Sequence, residues 1–227
     1  MVRLTIDLVI FALHEQSLCL LLSKRKQALF ENKFALPATE IDIHADVSIE
    51  EAVKRKLKAL TSLDTPYIEQ VQTLGNKTRD PRGWSVTVVY YSLIPYSLLP
   101  EKFISNSQYQ WMTVAQALKN PLAFDHDALI ENCLQRFQNK SLYTSLPIFL
   151  LPLEFTLTEL QKAYESILEF KMEKKSFRRR LLDAGFLEET GNIRRASHRP
   201  AQLYRLSEMQ PYYFARIIEG ARESKDI

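Results

Sequence analysis

The chain has 227 residues, 46% of them hydrophobic and 25% charged, with a net charge of +3. This is an ordinary globular composition, long enough for one large domain or two smaller ones that each bury a core. The 2 cysteines, Cys19 and Cys133, are far apart and lack metal-type spacing, and they imply no disulfide framework. Cys19 lies in the apolar run LCLLL and reads as a buried thiol. The apolar start, MVRLTIDLVIFALHEQ, breaks at His14 after a run too short to span a bilayer, and it lacks a cleavage-type site. A cytoplasmic protein without membrane contact is expected.

In chain order, Leu4 to Leu13 is apolar and β-rich, His14-Glu15-Gln16-Ser17 is a turn, and Leu18 to Lys24 is a second apolar strand. Two such runs joined by a short polar link make a hairpin. Phe34-Ala35-Leu36-Pro37 follows a polar loop. Ser48 to Ala59 is predicted to be a helix, capped by Ser48 with Glu51 at capping-box spacing. Ile49, Ala52, Val53, Leu57 and Leu60 give it an apolar stripe. Tyr67 to Leu74 and Trp84 to Ile94 are predicted strands, the second (WSVTVVYYSLI) rich in β-branched and aromatic residues. Tyr109 to Met112 is a short strand, and Thr113 caps a helical turn through Leu118. Asp125 to Phe137 reads as a helix with Ala128, Leu129, Cys133, Leu134 and Phe137 inward.

A domain boundary is expected after residue 140. Polar Asn139, Lys140 and Ser141 give way to SLPIFLLPLEF, where two prolines disrupt any helix. Residues 141–149 form a linker whose apolar side chains pack against a domain, and residues 150–227 form the second domain. There Thr156 caps a helix from Leu157 to Ile167, with Glu159 three residues on. A second helix runs from Glu173 to Ala184 and stops at Gly185. Phe186 to Glu189, a Thr190-Gly191-Asn192 turn, and Ala201 to Leu206 complete a hairpin. Helix, helix, hairpin is the order of a winged helix-turn-helix.

Charge marks this second domain. Between Lys171 and Leu206 ten Lys and Arg face four Asp and Glu, an excess of +6 that leaves −3 for the rest of the chain. Concentrated positive charge suits a polyanion, here double-stranded DNA. On the second helix Phe177, Leu181 and Ala184 share one face, the buried stripe. Lys175, Arg178 and Arg179 lie on another. Such a helix commonly enters the major groove by its N-terminal residues, so Lys174, Lys175, Arg178 and Arg179 are assigned to groove or phosphate contact. Arg194, Arg195, His198 and Arg199 are assigned to the wing, against phosphates or the minor groove. A merely solvated charged face is the alternative reading of each cluster.

The first domain resembles a known superfamily. LPATEIDIHADVSIEEAVKRKLKALTSLD (Leu36 to Asp64) resembles the Nudix segment. NKTRDPRGWSVTVVYYSLI (Asn76 to Ile94) resembles the RDPRGW stretch of Nudix proteins related to ADP-ribose pyrophosphatases. Arg55 occupies the motif's arginine. Its following glutamate positions hold Lys56, Ala59 and Leu60, its first glutamate position holds Val47, and Ala38-Thr39 replaces its glycine pair. In active members those glutamates hold the divalent cations that activate water. The resemblance therefore implies no catalytic residues, no metal and no cofactor here.

With LLPLEFTLTELQKAYESIL, KSFRRRLLDAGFLEETG and RPAQLYRL in the second domain, the whole chain resembles the Nudix-related transcriptional regulators of bacteria. The resemblance implies a Nudix-type α/β/α sandwich followed by a small winged helix-turn-helix domain. It implies a homodimeric regulator, a repressor by expectation, acting on an operator of NAD-related or sugar-metabolism genes. The effector would be an ADP-ribose-like molecule or a pentose. Arg79, Arg82 and Arg25 are the candidates to grip its phosphate or hydroxyl groups, and Trp84 and Phe34 to stack on a ring. The alternative for Arg79-Asp80-Pro81-Arg82-Gly83 is a solvated turn. The rival function is a Nudix hydrolase of ADP-ribose-like compounds with a rearranged metal site.

Overall fold

The computed structural model describes residues 2–64, 67–101, 108–195 and 200–219. Two compact units divide the chain, residues 1–136 and 137–227. No helix among the described residues is long and apolar enough to cross a membrane.

The first unit opens on a hairpin of β1 (Arg3–His14) and β2 (Ser17–Lys24). The link is Glu15 and Gln16, both at positive φ, 48° and 62°. That is the backbone of a two-residue primed turn, whose twist matches the flanking strands, built here without glycine or asparagine. There follow β3 (Phe34–Ala35), β4 (Ala38–Thr39), α1 (Ile49–Thr61), β5 (Tyr67–Asn76), β6 (Ser85–Ile94), β7 (Tyr109–Thr113), α2 (Val114–Lys119) and α3 (His126–Ser141). The strands make one mixed sheet in the order β3-β2-β1-β6-β5, with β4 on β1 and β7 on β2.

At its centre β1 and β6 run parallel, Arg3 opposite Ser85 through to Ala12 opposite Ile94. Strands covered on both faces read as continuous apolar runs, which is why neither segment alternates. One face of β1 presents Ile6, Leu8, Ile10 and Ala12 to Ala52, Val53, Leu57 and Leu60 of α1. Ser48 caps α1 by accepting the Glu51 N–H at 3.2 Å. The reciprocal half of the box is displaced by one residue, because the Glu51 carboxylate accepts from Val47 N at 2.9 Å. The opposite face carries Asp7, Val9 and Phe11, all buried. There α3 is tied near its start by His126 and near residue 136 by Arg136, which donates to Glu69 at 2.9 Å. Within α3 the expected inward set needs one correction. Ala128 is exposed and Ile130 is buried, since Ala128 lies about 140° around the helix from Cys133 whereas Ile130 lies within about 60°.

In the second unit, buried Leu146, Pro147, Ile148 and Leu150 form a short 3-10 turn. The Tyr164 hydroxyl donates to the Thr144 carbonyl at 2.6 Å just before it. Then come α4 (Leu157–Leu168), α5 (Lys174–Asp183), β8 (Leu187–Arg194) and β9 (Ala201–Leu206). A complete capping box starts α4, Thr156 and Glu159 each satisfying the other's backbone N–H. Thr190-Gly191-Asn192 is not the hairpin turn expected from sequence. It lies inside β8, where the register shifts between Glu189 and Ile193. Gly191 takes a φ of 76° there, as a bulge glycine does. The β8–β9 connection therefore lies beyond Arg194, five residues later than expected from sequence.

Residues 207–219 return to the start of this unit. Ser145 N donates to the Tyr212 carbonyl at 2.9 Å, Phe214 N to the Tyr143 carbonyl at 2.8 Å, and Ile218 N to the Leu142 carbonyl at 2.6 Å. Tyr212 stacks on Phe186 with ring centroids 4.7 Å apart.

Candidate nucleic-acid interface and effector site

Helix α5 begins at an unusual cap. The Glu173 carboxylate accepts the N–H groups of Lys175 and Ser176 at 2.9 and 2.6 Å. Those two bonds hold its carboxyl below the ordinary glutamate range. Directly after it stand Lys174 and Lys175, cations at the positive end of the helix dipole, where the helix itself gains nothing from them. The opposite side of α5 is a packing face. Phe177 and Leu181 are buried, and Phe177 meets Tyr164 edge-on at 5.2 Å. Ala184, expected in that stripe, is half-buried.

The basic residues fall into two groups. Lys174, Lys175 and Arg179 are exposed, and none of their side chains donates a hydrogen bond to another described residue. Arg195 is exposed as well. Arg178 is half-buried, its Nη2 donating to Thr158 Oγ1 at 2.8 Å. Arg194 is ion-paired with Glu159 and donates to the Glu154 carbonyl at 3.3 Å. His198 and Arg199 lie outside the described residues. Arg180, which the sequence reading left unassigned, donates to the Ile217 carbonyl at 2.6 Å and sits 5.0 Å from the Phe214 ring centre.

In the first unit the five candidate ligand residues separate. The Arg79 side chain is buried, 6% exposed. Its guanidinium bonds both oxygens of Asp125, at 2.9 and 3.0 Å, and Asp7 Oδ2 at 3.2 Å. His126 joins this network. Its Nδ1 accepts the Leu36 N–H at 2.9 Å and its Nε2 lies 3.8 Å from Asp7. An imidazole that accepts at Nδ1 is neutral, and burial holds its pKa below the ordinary histidine value.

Arg25 and Arg82 meet around one ring. Their guanidinium carbons lie 4.9 and 5.6 Å from the Phe124 centroid. Burial first, then the charge of Arg82, draws Arg25 below the usual arginine value. Asp80 holds Arg82 by paired hydrogen bonds and balances part of that charge. Phe30 packs edge-on against Phe124 at 4.8 Å, with Lys33 over Phe30. Phe34 is attached through its carbonyl, which accepts Ala123 N at 2.8 Å. Trp84 is 49% exposed and packed on Gly75, where an added Cβ would stand 3.1 Å from Trp84 Cζ3. Phe30 and Phe124 were not identified from sequence. Both have positive φ, 58° and 56°, and no glycine announces either.

The α1 face that holds cations in active Nudix proteins is differently furnished. Glu50 accepts the Tyr90 hydroxyl at 3.0 Å, and Arg55 is clamped by Asp46 and the Glu40 carbonyl. That clamp lowers the Asp46 carboxyl to about 2. Lys56 is half-buried, and burial lowers its pKa. Among the described residues no three His, Cys, Asp or Glu side chains gather as metal ligands.

Fold and surface together define a class: a mixed α/β Nudix-like domain followed by a winged helix with a small hairpin. Residues 147–206 match the NrtR DNA-binding winged helix domain. Over 98% of its length the chain is 43% identical to the ADPR responsive transcriptional repressor NtrR of Acinetobacter baylyi, of which it covers 90%. The chain belongs to the NrtR family of regulators. Its structure is similar to that of Shewanella oneidensis NrtR complexed with a 27mer DNA, with a TM-score of 0.89 and 43% identity over 95% of this chain and 99% of that one. The NUDIX domain of the same Shewanella protein, complexed with ADP ribose, matches 60% of this chain and 89% of its own length at a TM-score of 0.54 and 43% identity.

Proposed function

We propose that this chain is a transcriptional repressor whose winged helix binds operator DNA and whose Nudix-like unit binds ADP-ribose to set that affinity. The observation that carries the reading is the surface of α5. Lys174, Lys175 and Arg179 stand exposed on a helix whose other side is buried by Phe177 and Leu181. Charge in that position has no use in folding and a direct use against phosphate. Arg195, just after β8, is exposed as well. The named effector of the Acinetobacter relative and the ADP ribose bound by the Shewanella domain favour ADP-ribose over a free pentose.

In this reading Arg25 and Arg82 take the diphosphate, and Phe124 and Phe30 supply a face for a planar ring. Arg79 acts beneath them, orienting the segment that carries Asp125 and Phe124. The Nudix-like unit is catalytically silent, since Lys56, Ala59 and Leu60 replace the cation-holding carboxylates. The regulator acts as a homodimer on a partly symmetric operator.

The test uses the full-length protein and a labelled duplex from upstream of its own gene. Retention of that duplex, falling steeply with salt, is expected. Separately, ADP-ribose incubated with the protein and Mg²⁺ or Mn²⁺ is expected to be recovered intact. Breakdown of ADP-ribose together with no duplex retention would establish the hydrolase instead. Light scattering is expected to give the mass of two chains, and a monomer would remove the dimer from the account.

A further inference from the structure

Two arginines that sequence places among the DNA contacts end on neighbouring residues of one helical turn. From the basic helix, Arg178 Nη2 donates to Thr158 Oγ1 at 2.8 Å. From the wing strand, Arg194 Nη1 is paired with Glu159 Oε1, and Arg194 Nη2 reaches the Glu154 carbonyl at 3.3 Å. Asn192, on the same strand, donates to both oxygens of the Glu154 carboxylate at 2.9 and 3.1 Å. Glu159 is itself immobilised. Its Oε2 closes the capping box, accepting Thr156 N at 2.8 Å and Thr156 Oγ1 at 3.0 Å. The first turn of α4 is thus fixed by its own cap, and it holds α5 through Thr158 and the wing through Glu159.

The wing needs such a hold. A two-stranded hairpin is marginal by itself, and this one is weakened by the bulge between Glu189 and Ile193. Asn192 within the bulge and Arg194 just past it tie β8 to Glu154 and Glu159. A carboxylate on a surface that meets phosphates would oppose binding unless it served another purpose. Holding Arg194 is such a purpose.

We infer that Thr158 and Glu159 form a hub that sets the angle between the basic helix and the wing. Arg178 and Arg194 are positioning residues, and Lys174, Lys175, Arg179 and Arg195 are left to meet phosphate. The inference rests on the reading of this unit as DNA-binding.

Full-length Glu159→Gln, Arg194→Ala, Arg194→Lys and the double variant E159Q/R194A test it, by duplex affinity across a salt series and by amide exchange of the free protein. E159Q removes a negative charge, so simple electrostatics calls for tighter binding. The hub calls for about five-fold weaker binding, the scale of one exposed ion pair. R194A is expected to weaken binding as much with its salt slope unchanged. The double variant is expected to lose no more than the worse single one, and R194K to recover most of the loss. In the free protein, E159Q and R194A are expected to speed exchange across residues 187–194. Binding by E159Q as tight as wild type, or a salt slope for R194A shallower by about 0.9, the signature of one lost phosphate contact, would overturn the hub. Should wild type itself retain no duplex, the DNA reading fails, and the exchange data alone decide: unchanged protection in both variants overturns the hub.

Discussion

Replacing Lys174 and Lys175 by alanine sets stability against binding. Both lysines are exposed in the first turn of α5, behind the Glu173 cap. A cation at a helix N-terminus opposes the dipole by about 0.3–1 kcal/mol. Two of them cost about 1 kcal/mol once their attraction to Glu173 is set against it. For a unit of this size about 1 kcal/mol corresponds to roughly 4–8 °C in Tm. The double variant K174A/K175A is therefore expected to melt no lower than wild type and up to several degrees higher. Its DNA binding should move the other way. Each phosphate contact contributes about 0.9 to the slope of log affinity against log salt, so the slope should become shallower by about 1.8 per winged helix. Between about 50 and about 200 mM salt, wild type should lose about 12-fold more affinity than the variant for each winged helix engaged. Fluorescence anisotropy with a fixed duplex reads the slopes, and calorimetry reads Tm. An unchanged slope would refute the assignment of these lysines to phosphate. A lowered Tm would refute the claim that they do nothing for the helix.

Three further outcomes are expected. Arg82→Ala and Phe124→Ala should each weaken ADP-ribose binding by calorimetric titration, Arg82→Ala by about ten-fold or more because a charge-assisted contact is lost, while Trp84→Ala should leave it near wild type. Leu181, fully buried, should cost about 2–5 kcal/mol when cut to alanine, visible in urea unfolding of the second unit. For His126 the sign follows from burial. Its folded pKa lies below the ordinary value, so the unfolded chain binds the proton more readily. Stability is full above about pH 6.5 and falls as the pH drops through that value. His126→Asn keeps an acceptor for Leu36 N, and the Tm difference between about pH 7.5 and about pH 5.5 should shrink in that variant.

What sequence made legible was mostly local. Ser48, Thr113 and Thr156 announce helix starts, Gly185 announces an end, and the apolar runs of β1, β2 and β6 announce buried strands. The basic helix was legible because charge without compensation stands out against a chain of nearly balanced composition. Contacts between distant segments were not legible. The parallel pairing of β1 with β6 joins residues more than eighty positions apart. Phe30 and Phe124 meet only because two loops take left-handed turns that their sequences do not signal. Arg178 and Arg194 look like any other basic residues until Thr158 and Glu159 are placed beside them. Gly191 was read as a turn because a bulge glycine and a turn glycine carry the same mark.

In the proposed function DNA is held at one unit and ADP-ribose is sensed at the other, and the two are coupled. That coupling is tested most directly by measuring duplex affinity at rising ADP-ribose concentration. A saturable change in affinity is expected, with the midpoint set by ADP-ribose binding, and linkage requires bound duplex to change the ADP-ribose affinity by the same factor. Binding curves that superimpose at every ADP-ribose concentration would contradict the account.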